Sequence, residues 1–137
     1  SQVWSPHSHT DTRKLEMVQR TAARWCCRRW RNQSHVGEML EELLWPTLER
    51  RRDISSLVFF YKIHSNIVYI DKERYITPTQ APRSTRLSSC HPFQYTRYFA
   101  YSDALKYSFF PRIIPLWNAL PAHVVSLETA EEFKSSV

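Results

Sequence analysis

One glycine, Gly37, serves the whole of this 137-residue chain, against a usual share of about 7%. Glycine takes positive φ without steric cost, so Asn-Gly hairpins, phosphate-cradling loops and many helix stops lean on it. A chain nearly without it is pushed towards helices joined by loops marked with proline and serine. Two nucleotide-binding signatures are also absent, Gly-x-Gly-x-x-Gly and Gly-Lys-Ser/Thr, which excludes a Rossmann unit and a phosphate loop.

Apolar residues make up 42% of the chain and aromatics 14%, enough to bury an ordinary core and to exclude disorder throughout. The length fits one domain, or one compact unit with an appendage. The formal net charge is +6, which suits a polyanion or a membrane surface as partner. Its placement is more telling. Arg13, Lys14, Arg20, Arg24, Arg28, Arg29 and Arg31 face Glu16 alone; a second basic zone runs from Lys72 to Arg112. No apolar run is long enough to span a bilayer, nothing resembles a signal peptide, and three cysteines do not make a disulfide framework. A reducing intracellular compartment, nuclear or cytoplasmic, is expected, with no membrane partner.

Residues 1–10 read as loop. Thr10 or Asp11 can cap a helix running to about Trp30, with Leu15, Val18, Ala22, Trp25 and Cys26 on its apolar face. Arg13, Arg20, Arg24, Arg28 and Arg31 fall almost opposite, in a sector about 80° wide. Arg29 alone sits on the apolar side. Ser34 is a second cap candidate, before a short helix through Val36, Met39, Leu40, Leu43 and Leu44 that Pro46 ends. Thr47 then caps a longer helix ending near Asn66, with Ile54, Leu57, Val58, Phe60, Tyr61 and Ile63 among its apolar positions. Arg50, Arg51 and Arg52 in its first turns oppose the helix dipole. Asp71 to Ser89 reads as a linker. Phe93 to Tyr101 alternates loosely, as a short extended segment would. Ser108 suits the start of a helix with Pro111 in its first turn, and Ser126 to Lys134 reads as a terminal amphipathic helix.

The chemistry these residues offer is binding. Guanidinium forks match phosphate oxygens, and a row spaced one helical turn apart, about 5–6 Å, suits successive phosphates of a strand. The plainer reading is a solvated face paired with Glu38, Glu41 and Glu42. In the second zone Arg97 and Lys106 alternate with Tyr95, Tyr98, Phe99, Tyr101, Tyr107 and Phe109, a mixture that suits a single strand; the plainer reading makes those rings core. No Cys-x-x-Cys pairs with spaced histidines, carboxylates stand singly, and no nucleophile elbow occurs. No active site, metal or cofactor is expected; His7-x-His9 is the one weak metal candidate.

Several blocks together resemble a known family. Val3-Trp4-Ser5-Pro6-His7, then Leu15-Glu16-Met17-Val18-Gln19-Arg20 with Ala22-Ala23-Arg24, are similar to the segment after the palm in reverse transcriptases of jockey-like LINE (non-LTR) retrotransposons. Leu43-Leu44-Trp45-Pro46-Thr47-Leu48-Glu49-Arg50-Arg51 resembles that family's Leu-Gly-Trp-Pro-x-Leu-Glu-x-Arg-Arg element. Tyr61-Lys62-Ile63 resembles its Tyr-Lys-Ile, and Tyr107-Ser108-Phe109-Phe110-Pro111-Arg112 leads on to Trp117-Asn118-Ala119-Leu120-Pro121 as it does there; the closing Phe133-Lys134 also fits. The blocks follow the family order and cover nearly the whole chain. Leu44 replaces the usual glycine, which removes the easy left-handed stop there.

The resemblance implies the thumb and C-terminal part of an RNA-directed DNA polymerase, holding template and primer. The palm's Ala-Asp-Asp is absent, so this piece is expected to be no enzyme by itself. The expected fold is mainly α: a thumb-like helical bundle over 1–68, a linker over 69–92 and a small helical region over 93–137. Expected contacts to an RNA/DNA duplex or single strand are Arg13, Arg20, Arg24, Arg28, Arg31, Arg97 and Lys106, with the parent polymerase's palm as a protein partner. The alternative is a helical scaffold module that docks on the palm or another protein.

Overall fold

A computed structural model of the chain describes residues 5–30, 35–79 and 91–137. Among these the protein is mainly α, as expected. Its helices are α1 (His9–Cys26), α2 (Val36–Glu42), α3 (Leu48–His64), α4 (Asp103–Lys106), α5 (Phe109–Asn118), α6 (Ala122–Val125) and α7 (Ala130–Ser136), with one 3-10 turn at Lys72–Arg74. The chain divides into two compact units inside α3: an N-terminal unit, Ser5–Arg52, and a C-terminal unit from Asp53 onward. The boundary expected at residue 68 lies well past this division. The reason is that the later turns of α3 carry Leu57, Phe60, Tyr61 and Ile63 into the C-terminal core.

In the N-terminal unit, α1 starts at His9 behind Ser8, two residues before the expected cap, and packs on α2. Its buried face is not the expected one. Gln19 and Ala23 are buried, while Val18 and Trp25 are 67% and 64% exposed. The helix is turned by about one residue, roughly 100°, because polar anchors set its rotation. Gln19 Nε2 donates to the Pro46 carbonyl at 2.8 Å, and a Glu16 carboxylate oxygen accepts the Glu49 N–H at 2.9 Å. Thr47 caps α3 as expected, its hydroxyl oxygen accepting the Arg50 N–H at 3.2 Å. Thr47 and Glu16 together satisfy two of the orphan donors at the start of α3.

Three helices end in the left-handed conformation, and none uses the glycine. Arg28 (φ 52°), Leu44 (φ 53°) and Asn66 (φ 56°) follow the caps of α1, α2 and α3. Each end has the paired return bonds of a Schellman motif. For α1 these are Arg28 N–H to Trp25 O and Arg29 N–H to Arg24 O; for α2, Leu44 N–H to Glu41 O and Trp45 N–H to Leu40 O; for α3, Asn66 N–H to Ile63 O and Ile67 N–H to Lys62 O. The stop expected to be lost at Leu44 is therefore kept, at the steric cost of a Cβ in that region. Gly37 sits inside α2, where an added Cβ would meet nothing within 4 Å.

The C-terminal unit is built on rings. Trp117, Phe60, Phe133, Ile113 and Ile114 are fully buried. Phe60 meets Trp117 edge-on at 5.0 Å, and Tyr61 stacks on Phe133 at 4.6 Å. The tryptophan and asparagine that close α5 also fasten the extended segment before it. Trp117 Nε1–H donates to Phe93 O at 2.9 Å. The Asn118 amide takes both backbone groups of Tyr95: Oδ1 accepts its N–H at 3.0 Å and Nδ2 donates to its carbonyl at 2.7 Å. This side chain occupies the place a neighbouring strand would fill. On its other edge Tyr95 forms an antiparallel bridge with Pro78, flanked by Thr79 N–H to Gln94 O and Thr96 N–H to Thr77 O. Residues 72–79, expected as linker, are thus part of the folded unit.

The remaining differences are local. Ser108 stands at the start of α5, but its hydroxyl donates back to Leu105 O at 2.7 Å and does not cap the helix. The terminal helix expected from Ser126 begins only at Ala130, as α7, capped by Thr129, whose hydroxyl oxygen accepts the Glu132 N–H; α6 precedes the expected span. Ser34 and Ser89 lie outside the described residues.

Candidate nucleic-acid interface

The arginine row survives in part. Arg13 and Arg20 are exposed on α1, two turns apart, or about 10 Å along the axis. Both line an open cleft of about 540 Å3 with His7, His9, Thr12 and Met17, which Glu16 and Glu49 also border. Glu16 is held at that border by the Glu49 N–H, which fixes its position beside Arg20. Arg24 is half-buried in the last turn, where the helix dipole favours a cation. Its Nε is enclosed and meets no hydrogen-bond partner among the described residues.

Arg28 is a correction. It does not continue the helical row, since α1 has ended at Cys26; it stands exposed on the left-handed turn that follows. Arg31 lies outside the described residues. The helix itself therefore presents Arg13, Arg20 and Arg24, and the turn adds Arg28.

The electrostatic question is what neutralises these groups. Lys14 pairs with Asp11 at 3.3 Å, and Arg29 pairs with Glu42 at 3.2 Å. Among the described residues no carboxylate stands within ion-pair distance of Arg13, Arg20, Arg24 or Arg28. The glutamate of α2 has taken Arg29, the one cation the sequence pattern placed apart from the row. A guanidinium outside ion-pair distance of a carboxylate remains available to an incoming anion.

In the C-terminal unit the mixed zone of cations and rings splits in two. Tyr95 and Phe109 are core, whereas Tyr98, Phe99 and Tyr101 are 40%, 78% and 91% exposed. Arg97 is exposed within the extended segment, and Lys106 ends α4 with its ammonium 5.2 Å from the Tyr107 ring centre. Arg97 and Lys106 belong to the C-terminal unit, and the α1 cations to the N-terminal one.

A buried polar knot holds the C-terminal unit. His64 Nδ1 and the Tyr95 hydroxyl are 2.8 Å apart. Burial, then the charges of Lys72 and His91, push the His64 pKa below its ordinary value; burial pushes Tyr95 up. In a neutral imidazole one ring nitrogen donates and the other accepts, so the tautomer of His64 sets the direction of its bond with the Tyr95 hydroxyl. His91 is buried, with Nε2 3.0 Å from Trp117 O, so that nitrogen carries the proton. These histidines organise the fold. Among the described residues no three His, Cys, Asp or Glu side chains group as metal ligands, and no helix is long and apolar enough to cross a membrane. His7 and His9 line the cleft with the arginines.

Sequence reasoning missed one feature and noted another without giving it a role. One is the Trp25–Trp30 contact, with ring centres 4.7 Å apart; it depends on a chain reversal that periodicity does not encode. The other is Arg52, half-buried with an enclosed Nε; its signal was the cationic run set against a helix dipole. No protein-family model, no curated protein and no solved structure matches the chain.

Proposed function

We propose that this chain grips nucleic-acid backbones, without reading bases, through Arg13, Arg20 and Arg24 of α1 and Arg28 on the turn beyond it. The biological frame is the one the sequence blocks imply: the thumb and C-terminal part of a LINE-type reverse transcriptase, holding template and primer while a palm elsewhere in the parent protein performs the chemistry. The chain itself then has no polymerase activity, because it carries no Ala-Asp-Asp carboxylates to hold catalytic metal ions.

The observation that carries the reading is a set of guanidinium groups with no carboxylate within ion-pair distance among the described residues. Phosphates are the natural counter-charge for planar forks of this kind, and the resulting affinity is a counterion-release effect. Arg97 and Lys106 extend the reading to the C-terminal unit. Filter binding of a primer–template duplex over rising salt is expected to show a steep, linear loss on logarithmic axes. The triple variant Arg20→Ala/Arg24→Ala/Arg28→Ala is expected to flatten that slope by about 2–3. Equal binding by the variant and the wild type would remove the assignment.

A second reading rests on Met17 and Val18, 58% and 67% exposed on α1. Apolar groups left in water on a helix face suit docking onto the palm or another protein. Co-purification with the palm that resists nuclease and requires Val18 would favour it.

A further inference from the structure

The end of α1 brings two indoles together on a stretch of chain that also carries Arg24, Arg28 and Arg29. Trp25 lies in the last turn, 64% exposed, and Trp30 lies beyond the helix, 57% exposed. Their rings meet edge to face, with centres 4.7 Å apart and planes at 80°. The contact is produced by the helix stop. Arg28 takes positive φ, and the returning bonds from Arg28 N–H to Trp25 O and Arg29 N–H to Arg24 O fold the chain back beside its own last turn. Trp30 is thereby set against Trp25, and Arg24, Arg28 and Arg29 adjoin the two rings along the chain.

Edge-to-face contact covers at most one face of one ring and one edge of the other, so broad indole surface is left in water. Large rings are usually buried because of the area they carry; here both members of a pair remain more than half exposed. Their surroundings select among occupants. Arg24 and Arg28 have no carboxylate within ion-pair distance among the described residues, and Arg29 meets only Glu42. A partner for this spot must bring negative charge and a flat apolar face together. Paired bases inside a duplex offer phosphates with their faces already stacked. An unpaired nucleotide offers both.

We infer that the Trp25–Trp30 pair, flanked by Arg24, Arg28 and Arg29, is a stacking site for an unpaired base, so that the preferred ligand is a duplex carrying a single-stranded extension. The inference rests on the backbone-binding reading above and narrows it from any duplex to a junction.

The test compares a blunt duplex with a duplex bearing a short unpaired extension, matched in phosphate number, as ligands of the full chain. The wild type is expected to bind the extended duplex about fivefold or more tightly, the lower end of what one stacked base contributes. Trp25→Ala/Trp30→Ala is expected to erase that preference while leaving blunt-duplex affinity and the salt slope unchanged. Trp25→Phe/Trp30→Phe keeps flat rings and is expected to retain part of the preference; circular dichroism checks that each variant keeps its helices. Equal wild-type affinity for both ligands, with arginine dependence intact, overturns the stacking site alone. So does a ring variant that weakens both ligands equally, or ring-dependent capture of a protein that resists nuclease. A ring-dependent preference in Arg20→Ala/Arg24→Ala/Arg28→Ala with affinity for both ligands equal to that of the wild type overturns the backbone assignment instead.

Discussion

Each of the two units of this protein has its own means of internal cohesion. The C-terminal unit buries a continuous cluster of rings and branched side chains around Trp117. The N-terminal unit has Ala23, Met39 and the polar Gln19 as its buried residues among the described ones. Two hydrogen bonds, from Gln19 to Pro46 and from Glu49 to Glu16, fix how α1 meets the start of α3. Burial scales with apolar area, so stability belongs mostly to the C-terminal unit. Exposed cations and rings at the end of α1 belong to the lighter one. Regions with few buried contacts open most easily and are where binding surfaces are commonly placed. The contrast teaches that the candidate interface is oriented by polar anchors more than by a core.

The contrast breaks most plainly at Trp117. Its replacement, Trp117→Ala, should cost about 3–5 kcal/mol, because a fully buried ring and its bond to Phe93 O are lost together. Chemical denaturation should show the loss in the C-terminal unit, while phosphate binding by α1 persists. If both disappear at the same denaturant concentration, the units are not separable in stability.

Gln19→Ala sharpens the other side. It removes one anchor of α1 and is expected to cost about 1–2 kcal/mol. Hydrogen exchange should then quicken along α1 and at the start of α3, with the Trp117 core still protected. Unchanged exchange in α1 would show that the corner bond does not hold it.

Leu44→Gly tests the price of building helix stops without glycine. Leu44 is exposed and left-handed, so relief of its Cβ strain should make the chain about 1 kcal/mol more stable. A lower melting temperature would mean that the leucine is held there by something other than backbone geometry.

The smallest expected effect is on pH dependence. His64 has a folded pKa below 6.5, with burial the main cause. The unfolded chain therefore takes up the proton first as the solution is acidified. The stability contributed by neutral His64 should be complete above its unfolded value and fall as pH drops from there towards the folded pKa. Melting curves at about pH 7.5 and about pH 5.5 should show the loss, and His64→Gln should show less of it. An equal loss in the variant would assign the dependence to another group.

Much of the local structure was legible in the residues. Pro46 and Thr47 marked the boundary between α2 and α3 because one lacks the N–H a helix needs and the other supplies a capping oxygen. The ring-rich composition announced a core, and Leu57, Phe60, Tyr61 and Ile63 were placed on the correct helix. Arg13, Arg20 and Arg24 were read as one sector of α1, where the structure has them. The face that α1 buries was misread. A hydrophobic count weighs Val18 and Trp25 above Gln19, but it has no knowledge of a carbonyl at Pro46 waiting for a donor. Arg28 was misplaced because nothing local marks an arginine as left-handed.

Helical character, the boundary at Pro46 and the clustering of charge ahead of α2 follow from the sequence by itself, since propensity, capping and period act over a few residues. Tertiary structure decided the rotation of α1, the reversal that sets Trp30 on Trp25, and the use of Asn118 as a substitute strand edge beside Tyr95. Each of these depends on a specific donor meeting a specific acceptor, or on the steric cost accepted at one φ angle. Partners of that kind are far apart in the chain or hidden in its backbone, and no periodic pattern of side chains carries them.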